Sequence, residues 1–152
     1  MDRRELLGIA AAGASLLAAG AAAADEHDHG HDHAAHMGHS PDGANARLAE
    51  LARACVTTAG ACLSHCLQAF AAGDTSLGSC ARSVYQMSAV CEALARLAAA
   101  GSERLADFSR VANAVCLDCE KECRKHQDEH AECKACAESC AACAEECKKH
   151  FT

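Results

Sequence analysis

Five cysteines near the C-terminus, Cys133, Cys136, Cys140, Cys143 and Cys147, stand in steps of 3, 4, 3 and 4. On a helix turning about 100° per residue they fall within an arc of about 80°, a row of thiols running for roughly 21 Å. Neighbours three or four apart on a helix have Cβ atoms about 5–6 Å apart. Such a row offers soft ligands to a metal, partners for disulfides, or thiols for redox exchange. The intervening residues are mostly Ala, Glu, Lys and Ser, which suit a helix.

The pattern recurs upstream. Cys116, Cys119 and Cys123 repeat the 3 and 4 steps, and Cys80 and Cys91 stand 11 apart, three helical turns, facing one way. Cys55, Cys62 and Cys66 return to within about 40° of one another, with Leu48 and Leu51 on the same side. His65 lies about 80° off that stripe and is a candidate ligand at its edge. The candidate metal ligands are therefore these thirteen cysteines and His65.

Five roles compete for the thiols. Cysteine as a small core hydrophobe accounts for one or two positions, not thirteen. Disulfides suit an exported domain, but the number is odd, and bridges one turn apart on one helix are strained and close tiny loops. Iron–sulfur carriers use C-x2-C-x2-C with a distant Cys before Pro, whereas this chain has C-x2-C-x3-C and no such Pro. Zinc takes four tetrahedral ligands, and four thiolates leave two surplus negative charges at each site in a dry core. Cu(I) is soft and accepts two or three thiolates. One ion replacing one thiol proton leaves the core neutral however many sites fill, and that favours Cu(I), multiple per chain.

The elements that must carry these residues are helices. Alanine is abundant, proline occurs once and aromatic residues make up 3% of the 152 residues. The apolar pattern places helices over Asn45 to Ala72, Leu77 to Ala99, Glu103 to Lys125 and Glu129 to His150. Gly73-Asp74-Thr75-Ser76 and Ala100-Gly101-Ser102 are turns, with Thr75, Ser76 and Ser102 as candidate N-caps. The fold class is all-α, an antiparallel up-down-up-down four-helix bundle with a Cys-lined core. That topology gathers Leu48, Leu51, Leu94, Leu97, Leu105 and Phe108 into an apolar plug at one end. Cys66, Cys80, Cys123 and Cys133 gather at the other, with His65, His126 and His130 near the rim. A second apolar strip on the first helix, Val56, Leu63, Leu67 and Phe70, can face a neighbouring helix or another subunit. Met87 belongs to core packing, and His126, His130 and His150 are expected to be solvated.

The chain divides into residues 1–24, 25–44 and 45–152. Residues 1–24 carry Arg3-Arg4 and Leu6-Leu7, then a weakly apolar run ending in Ala21 to Ala24. They resemble a cleavable twin-arginine signal peptide, which implies export of a folded chain to the periplasm or an internal membrane lumen. Cleavage leaves no stable membrane anchor. Residues 25–44 form a His-rich tract (His27, His29, His31, His33, His36, His39) without apolar periodicity, expected to be disordered and to act as a weak metal binder or a spacer. The formal net charge of −7 argues against nucleic acid as a partner.

Cys62-Leu63-Ser64-His65-Cys66, Cys80 with Tyr85 and Cys91, Cys116-x2-Cys119-x3-Cys123, and Cys133-Lys134-Ala135-Cys136-x3-Cys140-x2-Cys143-Ala144-Glu145-Glu146-Cys147 together resemble the exported copper storage proteins of methane-oxidising and other bacteria. The likeness runs from about Leu51 to Lys149. It implies a homotetramer of four-helix bundles, each holding a chain of Cu(I) ions through core thiolates. It further implies supply to copper-accepting enzymes, notably membrane methane monooxygenase. His65 matches a ligand at the family's open mouth. The methionines that join it there are replaced by Ala69, Ala72 and Leu77, with His126 or His130 as substitutes. No nucleophile–base pair or phosphate loop is visible, so the expectation is not an enzyme. The rival functions are a copper chaperone, a zinc–thiolate protein and a disulfide-stapled exported redox protein. A chaperone needs one or two thiols and a redox protein one exposed low-pKa pair, whereas the long row speaks for capacity.

Overall fold

The computed structural model describes residues 43–151. The expected signal peptide, and all of the His-rich tract before Gly43, lie outside them. Four helices follow one another: α1 (Gly43–Ala71), α2 (Gly78–Ala99), α3 (Leu105–Arg124) and α4 (Ala131–Lys148). Each end falls within two residues of its expected position, and α1 takes in Gly43 and Ala44 from the segment read as tract. No strand occurs among the described residues.

Each helix packs on two neighbours, α1 on α2 and α4, and α3 on α2 and α4. Short connections make sequential helices antiparallel. Cross-helix approaches follow that arrangement: Cys62 meets Cys80, Cys80 meets Cys123, and Cys119 meets Cys136. The α1–α2 and α3–α4 connections lie at one end, here the upper end, and the α2–α3 turn lies at the base.

The turns use glycine where the backbone demands it. Gly73 and Gly101 have φ of 87° and 61°, a left-handed conformation that glycine adopts without steric cost. Beyond each, an amide reaches five residues back, Asp74 to Ala69 and Ser102 to Leu97, both at 3.0 Å. These bonds satisfy carbonyls left open at a helix end. The expected side-chain caps are absent. Leu77 and Arg104 occupy the N-cap positions of α2 and α3, with no capping side-chain bond. Ser76 instead donates its amide to the Asp74 carboxylate (2.8 Å), and Ser102 Oγ accepts from the Arg104 amide (3.2 Å). Both residues shape the turn before the helix rather than its first turn.

The core is thin in carbon and rich in sulfur. All thirteen cysteines are buried. Among the described residues, only Leu48, Leu77, Met87, Leu94 and Val84 are larger fully buried side chains. Met87 packs in the core as expected. Small Ala and Cys side chains let the helices approach, but each buries little apolar area, so hydrophobic stabilisation per residue is modest. Outside, ion pairs such as Arg47–Glu50 and Arg124–Glu120 lie three or four residues apart along single helices. Pairs of this kind add a few tenths of a kcal/mol each, roughly.

The base differs from a purely apolar plug. Leu48, Leu94 and Leu105 are buried there, while Leu51, Leu97 and Phe108 are only partly buried. Ser109, one turn along α3 from Leu105, is fully buried among them. On α1, Val56, Leu63 and Phe70 pack partly against the core, whereas Leu67 is 64% exposed.

Candidate metal centre

The sulfurs form overlapping groups along the bundle axis. From the upper end downward these are Cys62, Cys66 and Cys80; then Cys62, Cys123 and Cys136; then Cys119, Cys136 and Cys140; and lastly Cys55, Cys91, Cys116 and Cys143. The sulfurs of each group lie within 4.8 Å of one another. Cys62 and Cys136 each belong to two groups and so link the first three. Cys140 interacts with Cys116 and Cys55, which joins the third group to the fourth. Cys133 stands 3.9 Å from both Cys62 and Cys80, and Cys147 lies beside Cys143 at the lower end of the row. All four helices thus contribute to one continuous string of thiols.

The helical period explains this convergence. Steps of 3 and 4 keep every cysteine of a helix on its inner stripe, and antiparallel packing interleaves the four stripes at matching heights. Cross-helix bonds fix the heights further. Asn113 Nδ2 donates to the Ala144 carbonyl (2.9 Å), tying α3 to α4. Cys55 donates to the Ser139 carbonyl (3.3 Å) and accepts from Ser139 Oγ (3.4 Å), tying α1 to α4. The sulfurs of Cys80 and Cys123 are 3.5 Å apart, and all thirteen thiols are free.

Electrostatics sets the protonation of the string. Burial pushes the Cys66 thiol up to about 11 and Cys133 up to about 12. Deeper in, Cys91 and Cys140 are raised, each first through Cys116, and Cys123 first through Cys119. Four neighbouring thiols move the other way. Cys80 is lowered first by the hydrogen bond from Cys123, Cys55 and Cys143 first by Cys116, and Cys136 first by Cys119. Cys62, Cys116 and Cys147 are raised as well, so raised thiols outnumber lowered ones. A crowd of thiolates in this dry interior would repel itself, so the metal-free row keeps most of its protons. A soft monovalent cation enters such a row by exchanging for a proton, one for one.

The upper rim holds nitrogen and oxygen donors. His65 Nε2 and His130 Nδ1 are 2.9 Å apart, one donating to the other. His65 Nδ1 is 3.8 Å from Glu132. The His126 ring lies tilted beside that of His130, centroids 6.4 Å apart, and Asp74 in the α1–α2 turn feels both rings. His130, expected to be solvated, is half-buried against His65 instead. The physical reason is its place at the N-cap of α4, which points it across the bundle mouth rather than outward. Leu77, close to this rim in the α1–α2 connection, is fully buried. Sequence reasoning missed Glu132, Ser139 and Asp74. Glu132, one position before Cys133, was the readable one; the others depend on tertiary packing.

One surface groove of about 470 Å³ lies between α1 and α2, lined by Arg53, Val56, Thr57, Glu92, Ala95, Arg96 and Ala99. No thiol faces it, and the chemistry resides in the core.

The family model for copper storage proteins (Csp) matches residues 42–152. A solved structure of the copper storage protein Ccsp from Streptomyces lividans loaded with 10 copper equivalents superposes with a TM-score of 0.65 at 27% identity, covering 71% of this chain and 83% of that one. A structure described as a cytosolic copper storage protein from Streptomyces lividans, with five coppers, matches at the same TM-score of 0.65 and 27% identity, over 71% and 92% of the two chains. Apo-Csp3 from Bacillus subtilis shares the fold, with a TM-score of 0.61 at 24% identity over 70% and 97%. No curated relative matches the sequence.

Proposed function

The chain belongs to the copper storage protein family, and from that premise we propose that it stores many Cu(I) ions on Cys55, Cys62, Cys66, Cys80, Cys91, Cys116, Cys119, Cys123, Cys133, Cys136, Cys140, Cys143 and Cys147, with His65 as a ligand at the upper rim. The observation that carries this is the unbroken string of buried, free sulfurs in groups no wider than 4.8 Å. Storage needs capacity, and capacity in a dry core needs charge neutrality. Cu(I) supplies it, since each ion displaces one proton from thiols held largely protonated. Zinc is favoured by one feature, the four-sulfur group Cys55, Cys91, Cys116 and Cys143. A tetrahedral Zn–thiolate site there would carry two surplus negative charges at full burial, so Cu(I) remains the better occupant.

The family is one of storage rather than catalysis, and we read this chain as a store and not an enzyme. His65, His130, Glu132, Asp74 and His126 give the rim a set of exchangeable donors for passing ions to the row. Assembly into a homotetramer rests on the family resemblance; Leu67, exposed on α1 beside half-buried Val56, Leu63 and Phe70, leaves an apolar strip on that helix for a second subunit. Residues 1–24 direct twin-arginine export, the His-rich tract ahead of α1 acts as a weak metal binder or a spacer, and the stored ions go to copper enzymes such as methane monooxygenase. Fractionation of cells expressing the full chain checks the export reading: a shortened chain in the periplasm supports it, and a full-length cytosolic chain rejects it.

Titration of the reduced protein with Cu(I) against a chelator tests the storage reading. An equivalence point approaching one ion per thiol is expected, whereas one or two ions per chain would indicate a chaperone.

A further inference from the structure

We propose that the copper row ends, at the base of the bundle, on a sulfur–nitrogen site made by Cys147 and His150. This rests on the storage reading above and adds a ligand to it. Cys147 is fully buried and interacts with Cys143, yet it belongs to none of the sulfur groups that could hold an ion by themselves. As the last sulfur of the row it has a sulfur neighbour on one side, Cys143, and its other side is open to a different donor. The His150 amide donates to the Cys147 carbonyl at 3.0 Å, which continues the helical turn beyond α4. That turn sets the two Cβ atoms about 5–6 Å apart, close enough for both side chains to reach one ion.

The imidazole itself gives the second, independent sign. His150 Nε2 is buried and has no hydrogen-bond partner among the described residues. A buried ring nitrogen without a partner has given up its hydrogen bond to water for nothing in exchange, so the position calls for an occupant. Ser109 Oγ is likewise buried and partnerless. Arg110 donates to the Phe151 carbonyl (3.3 Å) and stacks over the Phe151 ring at 5.6 Å. Ser109 and His150 each precede one member of that tie, so both lie at the same height of the bundle. The tie also holds the chain end in place, which keeps His150 against the base. A neutral imidazole beside a thiolate is a two-coordinate donor set that Cu(I) accepts, and one displaced thiol proton keeps it neutral.

The test uses the full chain labelled with ¹⁵N-histidine, loaded anaerobically with Cu(I). Cu(I) is diamagnetic, so the ring nitrogens remain visible by NMR, and His150→Gln identifies the His150 signals. We expect a large shift of His150 Nε2 on loading, its disappearance from the Cys147→Ala protein, and a loss of about one Cu(I) per chain in His150→Gln. Circular dichroism of metal-free His150→Gln establishes that it folds, and the wild-type spectrum carries the test if it does not. A His150 Nε2 that stays unmoved while the thiol row fills, or that moves equally in Cys147→Ala, overturns the basal site and leaves storage intact. A wild-type row that takes up only one or two ions overturns the storage reading and this site with it.

Discussion

Replacing Cys116 with alanine should affect the loaded protein far more than the empty one. Cys116 belongs to the four-sulfur group with Cys55, Cys91 and Cys143, and its sulfur lies 3.6 Å from that of Cys91. In the metal-free protein the change deletes one fully buried sulfur, comparable to one methylene and a small void. The cost is about 1 kcal/mol, or about 4 °C in Tm for a domain of this size. In the loaded protein an ion loses a ligand as well. With free Cu(I) about 100-fold above the Kd, one site contributes about 2.7 kcal/mol of stability. Loss of that site lowers Tm by about a further 10 °C. Calorimetric melts of both proteins, reduced and anaerobic, with and without Cu(I), read the difference directly. Val84→Ala, which trims a fully buried side chain that carries no metal donor, serves as control and should lower both melts alike. Equal losses for Cys116→Ala in the empty and loaded states would refute the reasoning, because the sulfur would then be packing and nothing more.

Other outcomes follow from protonation and from the rim. Each bound Cu(I) displaces a proton from thiols that are mostly protonated near neutral pH, so the apparent affinity should rise about tenfold per pH unit per proton released; chelator competition between pH 6 and pH 8 measures it, and a flat profile would argue against thiol exchange. The Cys66 and Cys133 thiols are raised from an ordinary 9.0 to about 11 and about 12. Above pH 9 the unfolded chain therefore binds fewer protons than the folded one, and the metal-free fold should lose stability as pH rises toward 12. Urea melts at pH 8 and pH 10.5 check the sign, and the loaded protein should lose less. His65→Ala should slow Cu(I) uptake several-fold in stopped-flow transfer from a chelator while leaving the final capacity within about one ion of wild type. Unchanged uptake would place the entry route elsewhere.

The helical period made most of this molecule readable from sequence. Steps of 3 and 4 between Cys133 and Cys147, and again between Cys116 and Cys123, dictate both the helix and its inner face. Short polar turns then leave an antiparallel bundle as the simple packing. Relations across the bundle were harder to read. That Cys55 shares a group with Cys143 depends on the relative height of α1 and α4, which no local pattern encodes. His130 looked solvated because it sits in a polar connection, yet the start of α4 turns it onto His65. Ser76 and Ser102 looked like caps, but the chain needs one or two further residues to turn before each helix begins. His150 lies past the last apolar step, where periodicity carries no information. The burial of its Nε2 depends on tertiary packing at the base, beside the bond between Arg110 and Phe151.

Ions held by this thiol string should lie in a row among the core sulfurs. Crystals of the loaded protein, with diffraction measured on either side of the copper absorption edge, test it most directly. The expected result is a string of anomalous peaks along the bundle axis from the level of Cys66 to that of Cys147. Peaks confined to the surface histidines, or one isolated peak within the four-sulfur group, would contradict it.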